Sequence, residues 1–140
     1  MTSLKEHITL TYSDGGARGN PGPAALGAVV IEPDGTRHHI KKYLGHTTNN
    51  QAEYRALIAA LEKAAHLGAR VVRCYLDSEL VVKQLHREYR VKDPGLGQLF
   101  LAVLNIAQSF DSISFHHIRR EHNKEADALV NEALDEATRG

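Results

Sequence analysis

Apolar and polar residues alternate from the beginning of the chain. Residues 7–13 place Ile8, Leu10 and Tyr12 on one side and threonine or serine on the other, which is the two-residue period of a half-buried strand. The later run VVRCYL is apolar but too short for a helix between its neighbours, so it is predicted to be a buried strand. Five strands are predicted in all, at residues 7–13, 26–32, 37–44, 71–76 and 113–118.

Four other segments repeat apolar residues at the helical period. In the last of them Ala126, Val130 and Ala133 fall on one face, and the first ends at Gly68, a residue suited to the left-handed position after a helix. The order βββαβααβα predicts an α/β domain whose mixed sheet is covered by helices on both faces. The predicted helices cover residues 51–67, 79–86, 97–109 and 124–138.

Length and composition narrow the class of protein. A chain of 140 residues fits one domain, so we take 1–140 as a single domain and expect a monomer. No stretch approaches the roughly 20 apolar residues of a membrane span, and the first residues lack the profile of a signal peptide. We therefore expect a cytoplasmic protein with no membrane partner. The 17 basic and 17 acidic side chains give zero net charge, which argues against a nucleic-acid binder unless several acids bind metal ions.

Two aspartates follow strand-like segments. ITLTYS is followed by Asp14 and VVRCYL by Asp77. Ligands of open α/β sheets bind beyond the carboxyl ends of the strands, so two neighbouring parallel strands would bring these aspartates together. The alternative is that each aspartate begins a turn, with its side chain bonded to nearby backbone N–H groups.

Two further acids lie on the apolar faces of predicted helices. Glu53 shares a face with the alanines and leucines that should face the sheet, and Asp127 aligns with Val130 and Leu134. A buried unpaired charge is strongly destabilising, so an inward carboxylate needs a partner. For Glu53 an alternative is a capping box with Asn50, which would direct the glutamate back to the helix backbone.

Together the four acids indicate a metal site. Clustered carboxylates repel one another and cannot all stay ionised without a partner. A hard divalent cation such as Mg²⁺ or Mn²⁺ prefers oxygen ligands and would offset this repulsion. Two such ions can activate a water and stabilise the departing oxygen of a phosphodiester. The acids therefore predict a two-metal phosphodiesterase.

The segments around these acids resemble the type 1 branch of the ribonuclease H family. They read YSDGGARGNPGPAALGAVV, HTTNNQAEYRALIAAL, CYLDSELVVKQL and REHNKEADALVNEAL, and they follow the family's order over nearly the whole chain. The resemblance implies a ribonuclease H-like fold, with five strands in the order 3-2-1-4-5 and the last two parallel to the first. It also implies two Mg²⁺ ions, replaceable by Mn²⁺, held by Asp14, Glu53, Asp77 and Asp127.

The implied activity is endonucleolytic hydrolysis of the RNA strand of RNA–DNA hybrids, leaving 5′-phosphate and 3′-hydroxyl ends. The resemblance also implies contacts in the minor groove of the hybrid, where 2′-hydroxyls distinguish RNA from DNA. The alternative is that the contact residues serve the fold, by forming turns and capping helices. For Asn50 we expect both a cap role and a substrate contact. The implied contacts are Gly15, Asn20, Asn49, Asn50 and Gln51.

Two departures from the family's pattern bear on function. The stretch DSELVVKQLHREYRVKDPGL is short where many bacterial members carry a long basic protrusion, which indicates the compact form of the family. The family often places a histidine before the last aspartate, and here Arg120, Glu121 and His122 compete for that auxiliary catalytic role. Arg120 is slightly favoured over His122, because a guanidinium can hold a phosphate oxygen without titrating.

Three other functions remain open from the sequence. The compact form fits a nuclease that also or mainly cuts double-stranded RNA. A non-catalytic hybrid-binding module is disfavoured, since a pure binder gains nothing from negative charge near phosphates. An integrase or transposase core shares the fold and the acids. The GNPGP and TTNN segments disfavour that last alternative.

Overall fold

The computed structural model describes residues 7–139. Within that range the chain forms one five-stranded sheet, four α-helices and a 3₁₀ turn at Arg120–His122. None of the helices in this range is long and apolar enough to cross a membrane. The strands are β1 (Ile8–Ala17), β2 (Gly22–Ile31), β3 (Arg37–Thr47), β4 (Val71–Leu76) and β5 (Ser112–His117), and the helices are α1 (Asn49–His66), α2 (Glu79–Leu85), α3 (Pro94–Ala107) and α4 (Lys124–Thr138).

The sheet is mixed, and its strand order is β3-β2-β1-β4-β5, as predicted. The pairs β1–β2 and β2–β3 are antiparallel, whereas β1–β4 and β4–β5 are parallel. The parallel pairing of β1 with β4 ends at Ser13 and Leu76, which lie side by side. Because the next residue of each segment is an acid, the register brings Asp14 and Asp77 to the same edge of the sheet.

Helices cover both faces of this sheet. On one face Ala28 and Val30 of β2 join α1 side chains such as Leu57 in the main hydrophobic core. On the other face Ala25 of β2 packs against α4 side chains such as Val130. Helix α3 packs against α1. The predicted α/β architecture, with a mixed sheet between helices, is confirmed.

Strands β1 and β2 are longer than predicted. The pattern of residues predicted that β1 ends at Ser13 and that the following Gly/Pro-rich stretch is a loop. In the structure, Asp14 and the next three residues pair with residues 24–27 of β2. Strand β2 correspondingly begins at Gly22 rather than Leu26. Cross-strand pairing and burial outweigh the low strand preference of glycine here, since strand preference depends strongly on context.

Helix α1 begins two residues earlier than predicted and has a different cap. Thr48 is the N-cap residue, and its Oγ1 accepts a hydrogen bond of 3.2 Å from the backbone N–H of Gln51. The capping box of Asn50 with Glu53 is therefore wrong, and so is the cap role expected of Asn50, which lies in the first turn. The Glu53 carboxylate is left available for contacts outside its own helix.

Two other helix ends show how local chemistry sets the boundaries. Helix α1 ends at His66, one residue before the predicted end, and Gly68 lies in the left-handed region as predicted, at φ 79°. Helix α3 begins at Pro94 rather than Gly97, because the Asp93 side chain accepts a hydrogen bond from the Leu96 N–H and proline is tolerated in the first turn.

Candidate active site

Glu53 reaches the two strand aspartates because α1 packs directly on the backbone of β1. A Cβ built on Gly15 would lie 2.2 Å from the carbonyl carbon of Ala52, so only glycine allows this approach. One carboxylate oxygen from each of Asp14, Glu53 and Asp77 lies within 4.8 Å of the others. Three acids that are remote in sequence therefore converge at one edge of the sheet.

Burial and mutual repulsion shift the protonation of this cluster. Burial, then the charge of Asp77 and the proximity of Asp127, raise the pKa of Asp14 to about 8, against the opposing effect of Arg120. Burial, followed by the charges of Asp14 and Asp77, likewise raises the pKa of Glu53 well above its ordinary value. Without a cation, the cluster would therefore hold protons at neutral pH.

The donor set fits a hard divalent cation. Glu53 is 5% exposed, and its Oε2 is buried without a hydrogen-bond partner among the described residues. A carboxylate oxygen in that position is destabilising unless a cation binds it. Carboxylate oxygens are also the ligands that Mg²⁺ and Mn²⁺ prefer, and a bound ion would keep the acids ionised.

The fourth acid lies at the same cavity but outside the tight cluster. Asp127 is in the first turn of α4, with its side chain 30% exposed and its Oδ1 3.5 Å from Nη2 of Arg120. Helix α4 approaches closely because Gly27 lacks a side chain: a Cβ there would lie 2.4 Å from the carbonyl oxygen of Ala126. All four acids and Arg120 line one cavity of about 340 Å³.

Of the implied substrate contacts, two line this cavity and a third is linked to it. Gly15 and Asn49 are part of the cavity wall. Asn49 Oδ1 accepts a hydrogen bond of 3.0 Å from the Ala17 N–H, and the Asn49 N–H donates to Asn20 Oδ1 at 3.0 Å. Asn20 and Asn49 thus tie the β1–β2 connection to the start of α1.

The remaining candidates lie away from the cavity wall. Asn50 is half-buried in the first turn of α1, and the Gln51 side chain accepts a hydrogen bond from the end of β3. His122 and Glu121 line a separate cavity of about 500 Å³. Among the three residues considered for the auxiliary role, Arg120 is the one at the acidic cavity.

Asn123 was not predicted as a functional residue. It is 1% exposed, and its Nδ2 donates to the Ser13 carbonyl at 2.9 Å and to Asp77 Oδ2 at 3.1 Å. An asparagine immediately before a helix is typical of an N-cap, but this side chain makes no cap hydrogen bond. Nothing in the sequence pattern could have distinguished a helix cap from a side chain that hydrogen-bonds to Asp77.

Comparison with known proteins decides the family. A family model described as reverse transcriptase-like matches residues 12–133. Ribonuclease H of Polaromonas naphthalenivorans is 34% identical over 153 residues, covering 96% of this chain and 91% of that protein. The chain belongs to the ribonuclease H family.

Other ribonuclease H relatives are longer than this chain. Ribonuclease HI of Halobacterium salinarum is 46% identical over 127 residues, covering 90% of this chain and 64% of that protein. A bifunctional protein of Mycobacterium tuberculosis is 43% identical over 127 residues, covering 89% of this chain and 35% of that protein. The ribonuclease H chain described here therefore spans about a third of the length of such mycobacterial relatives.

Solved structures of ribonuclease H proteins share the fold. The crystal structure of ribonuclease H1 from Halobacterium salinarum matches with a TM-score of 0.88 and 45% identity, over 92% of this chain and 98% of that chain. LC11 ribonuclease H1 in complex with an RNA/DNA hybrid matches with a TM-score of 0.87 and 44% identity, over 93% of this chain and 99% of that chain. These matches place the ribonuclease H chain in the type 1 branch, in agreement with its motifs.

Proposed function

We propose that this chain is a metal-dependent endoribonuclease that hydrolyses the RNA strand of RNA–DNA hybrids. The observation that carries the proposal is the convergence of Asp14, Glu53 and Asp77 into a cluster whose buried Glu53 Oε2 has no protein partner among the described residues. Membership of the ribonuclease H family supports the reaction class. The hybrid bound to the LC11 relative supports the substrate.

The four acids, including Asp127, would hold two divalent ions, either Mg²⁺ or Mn²⁺. When bound, such ions supply an activated water and stabilise the departing oxygen of a phosphodiester. In the proposed reaction the water oxygen bonds to phosphorus, the bond from phosphorus to the 3′ oxygen breaks, and a proton passes to that oxygen. The products carry 5′-phosphate and 3′-hydroxyl ends. Because Asp14 and Asp77 follow paired strand positions and Glu53 projects from a helix packed on glycine, the chain holds these ligands on rigid elements.

Arg120 would hold a phosphate oxygen at the mouth of the cavity. Its side chain is 80% exposed, and its ion pair with Asp127, at 3.5 Å, keeps the guanidinium beside the acids. A guanidinium stays charged at every working pH and can make two parallel contacts to a phosphate. We retain His122 as the less favoured auxiliary residue, since it lines the separate cavity.

Neutral groups near the cavity would read the minor groove of the hybrid. Amide and backbone groups can exchange hydrogen bonds with 2′-hydroxyls without being attracted to every phosphate. Asn49 fits this role best, because it lines the cavity and is braced by Asn20. The proposed contacts are Gly15, Asn20, Asn49, Asn50 and Gln51.

The test is cleavage of three labelled duplexes, an RNA–DNA hybrid, an RNA duplex and a DNA duplex, each with Mg²⁺, Mn²⁺ or EDTA. We expect the RNA strand of the hybrid to be cut only with a metal, and a polymerase to extend the products from their 3′-hydroxyl ends. Asp14→Asn and Asp77→Asn should nearly abolish cutting while the fold survives. Activity retained by either variant, or cutting in EDTA, would defeat the proposal.

A charge-matched control comes from the other edge of the sheet. Asp111 precedes β5 and pairs with Arg70 at 2.8 Å, with its side chain 61% exposed, so Asp111→Asn should cut the hybrid like the wild type. Product from the RNA duplex would extend the substrate range to double-stranded RNA. Light scattering of the same preparation tests the expected monomer.

A further inference from the structure

The Asn123 carboxamide is buried at the junction of β1, the end of β4 and the start of α4. Its Nδ2 carries two hydrogens, and the two acceptors at 2.9 and 3.1 Å use both of them. The acceptors are the Ser13 carbonyl and the Asp77 carboxylate, and neither belongs to α4. Although Asn123 is the N-cap residue of α4, its side-chain N–H groups donate to a residue of β1 and to the residue that follows β4, and not to the helix.

Asn123 is connected to three of the four acids. The Ser13 carbonyl belongs to the peptide unit that joins Ser13 to Asp14, and Asp77 is bonded directly. The Asp127 N–H donates to the backbone carbonyl of Asn123 at 3.1 Å. The Asn123 side chain therefore links the backbone at Asp14 to the carboxylate of Asp77, and its backbone carbonyl accepts from the first turn of α4.

We propose that Asn123 is a positioning residue that orients the Asp77 carboxylate for binding a divalent cation. Within residues 7–139 the side-chain hydrogen bond to Asp77 comes from Asn123. A carboxylate that is fixed at one oxygen presents its other oxygen in a defined direction, and groups of this kind behind a ligand commonly govern metal affinity. The proposal rests on the metal site of the proposed function, but not on the identity of the nucleic acid.

A buried hydrogen bond elsewhere in the chain provides a matched control. The Tyr54 hydroxyl donates to Gln84 Oε1 at 2.6 Å, linking α1 to α2, and both residues are buried. Tyr54→Phe leaves a buried acceptor unpaired, as the loss of Asn123 would, but it leaves the hydrogen bond to Asp77 intact. A purely structural role for Asn123 predicts that substitutions at both positions behave alike.

The experiment compares Asn123→Ala, the shape-matched Asn123→Leu and Tyr54→Phe by two measurements. Isothermal titration calorimetry with Mn²⁺ or Mg²⁺ on the free protein gives metal affinity, and steady-state kinetics on the hybrid give kcat and KM. For both Asn123 variants we expect metal binding to weaken roughly 10–100-fold and kcat to fall by a similar factor. The lost kcat should recover partly at high metal concentration, with KM for the hybrid unchanged. Tyr54→Phe should lower the melting temperature in EDTA and leave both metal affinity and kcat unchanged.

Two results would overturn the proposal. The first is wild-type metal affinity in both Asn123 variants, with only the melting temperature lowered. The second is failure of both variants to fold, judged by circular dichroism in EDTA, because that would assign Asn123 to the fold rather than to the site. If the wild type binds metal but does not cut the hybrid, the proposed function fails while the calorimetry still decides the role of Asn123.

Discussion

Removing the charge of Asp14 should stabilise the metal-free protein and abolish its stabilisation by metal. Burial is the main reason that the pKa of Asp14 rises from 3.8 to about 8. At about 1.4 kcal/mol per pKa unit, ionising this carboxyl in the absence of a cation costs about 6 kcal/mol. That cost is large against a total free energy of unfolding of about 5–15 kcal/mol.

The direction of the pH dependence follows from the raised pKa. Between pH 3.8 and about 8 the folded state holds a proton on Asp14 that the unfolded state has released. The contribution of Asp14 to the free energy of unfolding is therefore fully present below the unfolded pKa. It is lost as pH rises through the folded pKa. Asp14→Asn is neutral throughout, so its advantage over the wild type in EDTA should grow with pH and be largest above pH 8.

Urea unfolding from pH 5 to pH 9 in EDTA measures this difference. Subtracting the wild-type curve from the Asp14→Asn curve removes the histidine titrations that both proteins share. Saturating Mg²⁺ or Mn²⁺ should then stabilise the wild type, by about 2.7 kcal/mol at a hundred times Kd, and the variant far less. A difference curve that is flat with pH, or a variant that is less stable than the wild type at pH 8 in EDTA, would refute the reasoning.

Two further substitutions test the positions of Arg120 and Gly15. Arg120→Ala should lower kcat/KM about tenfold, as expected for loss of one charge-assisted hydrogen bond. Metal affinity should not fall, because the substitution removes a positive charge that is paired with Asp127, and a calorimetric loss of metal binding would contradict the assigned role. Gly15→Ala should lower the free energy of unfolding by about 3 kcal/mol, because its Cβ would lie 2.2 Å from the Ala52 carbonyl carbon. Gly97→Ala meets nothing within 4 Å and should raise that free energy by about 0.4–1 kcal/mol; equal effects in urea unfolding would contradict the packing argument.

Hydrophobic periodicity predicted the strands, the helices and the mixed α/β sheet, whereas the strand order was implied by the resemblance to ribonuclease H. Once β1 and β4 are parallel neighbours, the acid that follows each apolar run must lie at the same sheet edge, as Asp14 and Asp77 do. The position of Glu53 followed from its place on the apolar face of α1. The convergence of these acids thus follows from the period of each element and the shared carboxyl edge of parallel strands, once the resemblance has made β1 and β4 neighbours.

The missed features depend on contacts between distant parts of the chain. The glycines after Asp14 are typical of a loop, and they become strand residues only because β2 pairs with them. Asn123 looks like a helix cap, and its role comes from partners 110 and 46 residues away. Asn50 lost its expected cap role to Thr48, since two neighbouring polar residues both suit the position and packing of α1 selects one.

At Gly15 and Gly27 the two acid-bearing helices lie directly on the main chain of the sheet, with no strand side chain between them. The gap between helix and sheet there is set by the radii of peptide atoms, and no rotamer can widen or narrow it. Glu53 and Asp127 are consequently carried by helices that contact adjacent strands at these two glycines, where any added Cβ would force the helix away. The distance of both carboxylates from the sheet is thus fixed by backbone contact and not by the side chains that surround the cavity.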